Sequence, residues 1–148
     1  MSLEKDINQA KFSNEHHKVM INIIFTANWV NEKLKPIFDK ENITQQQYNI
    51  LRILRGAKEP ISTLQIRERM LDKMSDTSRI VDRLIVKELA KKKVCSTDKR
   101  LVDVSISAKG IKLLQKLDGS QQLMEDSVKA ISKKDAKMIN DLLDKLRG

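Results

Sequence analysis

The chain has 148 residues, 40% of them hydrophobic, enough to bury a real core without help from disulfides or metals. Four glycines, two prolines and five aromatics leave little material for a multi-turn β-fold, so helix should dominate one domain spanning 1–148. The net charge of +9 is concentrated: Arg52 to Arg100 holds 14 Lys or Arg against 7 Asp or Glu, leaving 15 and 13 elsewhere. A localised basic surface is the footprint of a phosphate-backbone partner, although a solubilising face would look the same by charge alone.

Other classes drop out quickly. No apolar run approaches the roughly 20 residues of a membrane span. The stretch Met1–Asn14 is polar and lacks a signal peptide's apolar centre. A single cysteine, Cys95, fits a reducing compartment, and a cytoplasmic location is expected.

In chain order, Val19, Met20, Ile23, Ile24, Ala27, Val30 and Leu34 form a helical stripe with Phe25 and Trp29 beside it. Pro36 is expected to end or bend this helix. Such an apolar first helix either crosses a core or packs on another chain. Thr44 with Gln47 makes a capping box for a helix through Tyr48, Ile50, Leu51 and Leu54, with Gly56 as its stop. Ser62 caps a short helix through Leu64, Ile66 and Met70, and Asp72-Lys73-Met74 is a short connection.

Ser75 is expected to cap the next helix, which carries Ile80, Val81, Leu84, Ile85 and Leu89 on one side. The composition then changes. Lys93–Ser96 and Leu101–Ile106 are rich in β-branched residues and flank Thr97-Asp98-Lys99-Arg100, which predicts a β-hairpin with a cationic tip. Ser107 caps a long helix reaching Ile131, weakened or kinked at Gly119, and Ser132 caps a last one through Met138, Ile139, Leu142, Leu143 and Leu146.

Three short helices followed by such a hairpin outline a winged helix-turn-helix. The fold class is mainly α with a small β-hairpin wing. A recognition helix enters the major groove by its N-terminal end, so the slim polar residues Ser75, Thr77 and Ser78, with Arg79 beside them, suit base edges. Arg83 lies one turn further on. Lys91, Lys92 and Lys93 suit phosphates at the wing base, with a solvated charge run as the alternative. Lys99 and Arg100 at the tip suit an adjacent minor groove.

From about Ile43 to Leu114 the sequence resembles the multiple-antibiotic-resistance regulators, the MarR family. The resemblance is carried by Ile43-Thr44-Gln45-Gln46-Gln47 with Leu51 and Leu54, and by Ser75 through Val81-Asp82-Arg83-Leu84. Its most specific part is Asp98-Lys99-Arg100, followed by Ile106-Ser107-Ala108-Lys109-Gly110. It implies a DNA-binding module at 43–110 between dimerisation helices at 8–38 and 111–148. It also implies a homodimeric repressor on palindromic double-stranded DNA, with Arg79 and Arg100 as the recognition-helix and wing arginines and Asp98 orienting the latter. Members of the family often bind small aromatic molecules, which makes Phe25, Trp29 and Tyr48 candidate ligand residues against the alternative of ordinary packing.

Three positions depart from the family pattern. Glu88 stands where a helix-terminating glycine is usual, so the recognition helix is expected to end differently. Asp76 sits in the DNA-facing first turn, where it suits the helix dipole but repels phosphate. Ser107 replaces a threonine.

No metal or cofactor is expected. His16 and His17 are adjacent and do not share a helix face, and the chain has no further histidine. Cys95, in a wing strand, reads as an ordinary strand residue. Asp98 has no partner base or nucleophile, so catalysis is not expected. The rival reading is a sequence-indifferent architectural DNA- or RNA-binding protein, against which the polar, arginine-bearing first turn argues.

Overall fold

The computed structural model describes residues 1–94, 97–98 and 100–148. Cys95 and Lys99, read above as a strand residue and a wing-tip cation, lie outside the described residues. By its internal contacts the chain divides into two units, Met1–Leu34 with Asp126–Gly148, and Lys35–Glu125.

The second unit encloses the stretch 43–110. Its helices are α3 (Gln45–Ala57), α4 (Thr63–Arg69), α5 (Thr77–Val86) and α6 (Ala108–Asp118), with strands β1 (Ile61–Ser62), β2 (Ala90–Val94) and β3 (Val102–Ile106). The strands form one antiparallel sheet in the order β1-β3-β2. Ile61 lies opposite Val104, and the β2–β3 hairpin runs from the pair Ala90 and Ile106 to Val94 and Val102. The core is apolar: Ile50, Leu51, Ile66, Leu84, Val104 and Leu114 have no exposed surface, and Ile61 of β1 and Ala90 of β2 are also buried. Two residues of β1 are too few for a periodic signal, so the third strand was not legible in the sequence.

Helices α3, α4 and α6, and the helix that begins after Ser132, are each held at the N-terminus by a side-chain cap. Thr44 Oγ1 accepts from the Gln47 N–H while Gln47 Oε1 accepts from the Thr44 N–H, both at 3.1 Å. Ser62 and Gln65 repeat this box. Ser107 accepts from Gly110, and Ser132 from Asp135.

The helix ends correct the sequence reading in several places. Pro36 does not end the first helix: α2 (Glu15–Asp39) runs through it. Gly56 is inside α3, and Lys58 takes the left-handed conformation beyond it, at φ 62°. The helix from Ser107 does not reach Ile131. It ends at Asp118, followed by Gly119 and the separate α7 (Gln121–Asp126).

The most informative end is that of α5. Glu88 adopts φ 61°, so the left-handed terminator forms without glycine. The Leu89 N–H donates to the Leu84 carbonyl and the Glu88 N–H to that of Ile85, both at 2.9 Å, and Leu84 and Leu89 are both buried. This is a Schellman motif, whose hydrogen bonds and apolar contact outweigh the local strain. The same pair of bonds closes α2, where Asn42 at φ 54° lies between Phe38 and Ile43.

α3 and α6 are joined by a two-pronged ion pair in which Arg55 donates to both Asp118 oxygens, at 2.8 and 3.0 Å. The guanidinium holds the Asp118 carboxyl below its ordinary value. Both groups remain partly in solvent, so the pair contributes at most about 1 kcal/mol.

The first unit is built differently. It holds α1 (Leu3–Asp6), the α2 residues up to Leu34, and α8 (Lys133–Arg147). Leu3 is its only buried apolar residue among those described, and no residue of α8 is buried. Val19, Met20, Ile24, Met138, Leu142 and Leu146 are 46–63% exposed, apart from further half-covered neighbours. Two apolar grooves of about 530 and 440 Å³ run between α2 and α8, lined chiefly by Val19, Ile23, Ile139, Leu143 and Leu146.

A left-handed non-glycine residue costs on the order of 1 kcal/mol. Glu88→Gly should therefore stabilise the chain by about 0.5–1 kcal/mol in urea unfolding. Destabilisation by that change would show that the Glu88 side chain, which lies 3.8 Å from Lys109, outweighs the backbone.

Candidate nucleic-acid interface

α5 buries Ile80, Val81 and Leu84 and leaves Ser78, Arg79, Asp82, Arg83 and Val86 exposed. This amphipathic split follows from apolar residues at three- and four-residue spacing. The outward face thus carries two guanidinium forks, one carboxylate and one hydroxyl within ten residues.

The N-terminal end of α5 differs from expectation. Asp76, not Ser75, is the cap, with its Oδ1 accepting from the Arg79 N–H at 3.2 Å. Ser75 sits in the preceding turn and donates its hydroxyl to the Asp72 carbonyl at 2.7 Å. Thr77 points inward: it is 5% exposed, and its hydroxyl oxygen is buried without a hydrogen-bond partner. Thr77 is therefore corrected from a groove-facing residue to a packing residue. A β-branched side chain at the first helical position was legible, but its inward direction depends on α5's rotation, which the buried stripe sets.

The turn before α5 is held by a polar cluster that sequence spacing cannot show. Asp72 accepts from the Met74 N–H at 2.9 Å and from Gln46 Nε2 at 3.1 Å, and Asn49 Oδ1 accepts from the Leu71 N–H at 3.0 Å. Gln46 and Asn49 belong to α3, more than 20 residues upstream. Leu71 and Met74 themselves are 82% and 93% exposed.

In the wing, Lys91, Lys92 and Lys93 are all exposed on β2. Strand alternation separates them. Lys91 and Lys93 lie opposite Ser105 and Asp103 on one face, while Lys92 shares the other face with Val104. Lys92 reaches Asp82 of α5 at 3.4 Å, an ion pair between that helix and the hairpin. Asp82 is an addition to the sequence-derived residues. Its signal was its position one turn after Arg79, on the same helical face.

At the tip, Asp98 and Arg100 form a local fork. Asp98 Oδ1 accepts from the Arg100 N–H at 3.0 Å and from Nε at 3.1 Å, and Oδ2 accepts from the guanidinium at 3.2 Å. The Arg100 side chain is nevertheless 90% exposed, so it is oriented without being covered.

The remaining sequence-predicted residues fall in separate places. Phe25 and Trp29 line a cavity of about 660 Å³ in the first unit, with Leu3, Glu4, Lys18 and Asn22. Tyr48 belongs to the second unit, where its ring lies 4.7 Å from that of Phe38. No cluster of metal-ligating side chains occurs among the described residues. No helix among them is long and apolar enough to cross a membrane.

No protein-family model matches the sequence, and no curated protein is significantly similar to it. Solved structures do match. A MarR transcription factor from Planctomyces limnophilus is 25% identical, with a TM-score of 0.68 over 90% of this chain and 98% of that one. A cysteine-to-serine variant of MarR from E. coli, complexed with operator DNA, is 20% identical with a TM-score of 0.81 over 93% and 99%. An organohalide-sensing regulator in its 2,4-dichlorophenol-bound form is 19% identical with a TM-score of 0.82 over 94% and 85%.

The fold is MarR-like. In this MarR-like frame α4 and α5 are the helix-turn-helix and the β2–β3 hairpin is the wing. The cationic groups described above lie on α5 and on the β2–β3 hairpin of the second unit, and α5 ends in a left-handed residue, Glu88, without glycine.

The Arg100 fork holds the Asp98 carboxyl below its ordinary value of 3.8. A depressed carboxylate contributes while ionised, so this fork persists above pH 4 and is lost only as pH falls through the lowered value. A carbon-detected NMR titration should place the Asp98 midpoint below 3.8, and Arg100→Gln should return it upward. A wild-type midpoint at or above 3.8 would mean that the fork does not persist in solution.

Proposed function

We propose that the chain is a sequence-specific DNA-binding transcription regulator that acts as a homodimer on palindromic operators. The observation that carries the reading is the outward face of α5, where Ser78, Arg79 and Arg83 are exposed, together with an exposed arginine, Arg100, at the end of the β2–β3 hairpin. Guanidinium forks match the O6 and N7 acceptors of guanine in the major groove. Arg100 suits a narrow minor groove, and Lys91 and Lys92 suit phosphates. Lys99 is part of the same reading by its position in the sequence. The MarR-like neighbour bound to operator DNA supports the assignment of α5 to the groove.

Dimerisation is proposed from the first unit. A unit with one buried apolar residue cannot offset the conformational entropy of its own helices. A second copy seated on the apolar faces of α2 and α8 would supply the missing core, in the manner of an obligate interface. Two recognition helices about 34 Å apart would then read both halves of a palindrome, and occupancy of a promoter would repress it.

The decisive experiment pairs mass with recognition. Sedimentation should give twice 17.1 kDa at micromolar concentration. On an operator selected from random duplexes, Arg79→Ala should weaken binding and relax base preference by about 1–3 kcal/mol. Arg100→Ala should weaken binding with less change in major-groove preference. A stable monomer, or full affinity in both variants, would sink the proposal.

Control by a small aromatic ligand is the finer part of the proposal. The cavity of about 660 Å³ beside Phe25 and Trp29 is within the usual range for small-molecule sites, and a neighbouring fold was solved with 2,4-dichlorophenol. Trp29 is the single tryptophan, so its emission reports on that cavity directly. Titrated phenols and aromatic acids should shift the emission and release operator at matching concentrations. Emission changes without release would leave a cavity that has no regulatory coupling.

A further inference from the structure

The end of α5 is gripped by the joint between α2 and α3. Lys87, the C-terminal cap of α5, donates from its ammonium to the Asn42 carbonyl at 2.5 Å and to Gln47 Oε1 at 3.1 Å. Both acceptors are fixed. Asn42 is the left-handed residue that terminates α2. Gln47 is 4% exposed, and its oxygen is the same one that accepts from the Thr44 N–H to start α3.

The backbone of this segment is tied on its other side. The Lys87 carbonyl accepts from Lys109 Nζ at 3.1 Å, and the Glu88 carbonyl from the Ser107 hydroxyl at 2.6 Å. One residue thus joins the end of α2, the start of α3, the end of α5 and the start of α6. Carbonyl oxygens at a helix C-terminus favour a cation, and a charged donor on two fixed acceptors is stronger than a neutral pair. A lysine placed merely for solubility would extend into water, whereas this one is half-buried.

We propose that Lys87 is a positioning residue that sets the direction of the recognition helix from the end of α2. The inference rests on the DNA-binding reading above. α2 starts in the first unit at Glu15 and ends in the second at Asp39, so the helix offered for dimerisation ends in the joint that Lys87 holds. Lys87 itself presents no group to the outward face of α5. Its effect on DNA is therefore on where that face points.

The test uses full-length wild type, Lys87→Met and Lys87→Arg on duplexes carrying two selected half-sites with varied spacing. Wild type should show a sharp optimum near one helical turn, about 10 base pairs centre to centre. Lys87→Met should bind the optimal duplex about tenfold more weakly, the order of one charge-assisted hydrogen bond, and should discriminate less among spacings. Lys87→Arg, which keeps the charge and the donors, should recover most of both. Hydrogen exchange should quicken together in Asn42–Gln47 and Arg83–Leu89 of Lys87→Met.

Uniformly weaker binding with an unchanged spacing profile would overturn the inference, because loss of charge or of stability alone produces that result. Unchanged exchange at the α2–α3 joint would overturn it as well. A wild type that is indifferent to sequence and spacing would instead remove the DNA-binding reading. A sharp wild-type optimum shared by Lys87→Met would remove only the role of Lys87.

Discussion

Short helices leave as many as four N–H groups and four carbonyls without intrahelical partners at their ends, and in helices of seven to thirteen residues that is a large share of the backbone. The second unit is organised by the closure of these groups. Thr44, Ser62, Asp76 and Ser107 each give a side-chain oxygen to an orphan N–H. Asn42 and Glu88 accept left-handed backbone so that the last carbonyls of α2 and α5 are satisfied. With these ends satisfied, the apolar stripes of the helices can be buried without leaving orphan backbone groups. The buried set of Ile50, Leu51, Ile66, Leu84, Val104 and Leu114 follows from that arrangement.

The same closure serves the candidate reading surface. Capping by Asp76 uses a carboxylate at the end of α5, where the helix dipole favours negative charge. That carboxylate is occupied by a backbone donor, which moderates its repulsion of phosphate. Asp82 and Asp98 are likewise engaged, by Lys92 and Arg100. The acidic residues of this basic face thus act as internal partners that orient cations, and the excess charge remains on exposed Arg79, Arg83, Lys91 and Lys93. The polar turn between α4 and α5 is tied to α3 in a similar way: the Gln46 side-chain amide donates to the Asp72 carboxylate, and Asn49 Oδ1 accepts from the Leu71 N–H.

The two units differ in how complete they are. The second has a closed apolar core and side-chain caps at the starts of α3, α4, α5 and α6. The first has long helices whose apolar faces are largely exposed in the single chain. This asymmetry is what the proposed second copy resolves. Lys87, at the place where α2 ends, is the residue through which such an assembly would bear on recognition.

The sequence by itself determined the elements, their order and most of their starts. Capping boxes at Thr44 and Ser62, the stripe of Ile80, Val81 and Leu84, and the β-branched run Val102–Ile106 act through neighbours within about four residues, so their signals survive in one dimension. The motif around Asp98 and Arg100 was legible for the same reason, since its hydrogen bonds span two residues. Tertiary structure decided the rest. The inward turn of Thr77, the strand at Ile61–Ser62, the hub at Asp72 and the reach of Lys87 to Asn42 and Gln47 all depend on partners at least 20 residues away or on the rotation of a packed helix. Glu88 marks the boundary between the two. Local preference asks for glycine there, and the buried contact of Leu84 and Leu89, made with the Schellman hydrogen bonds, holds a glutamate in the left-handed region instead.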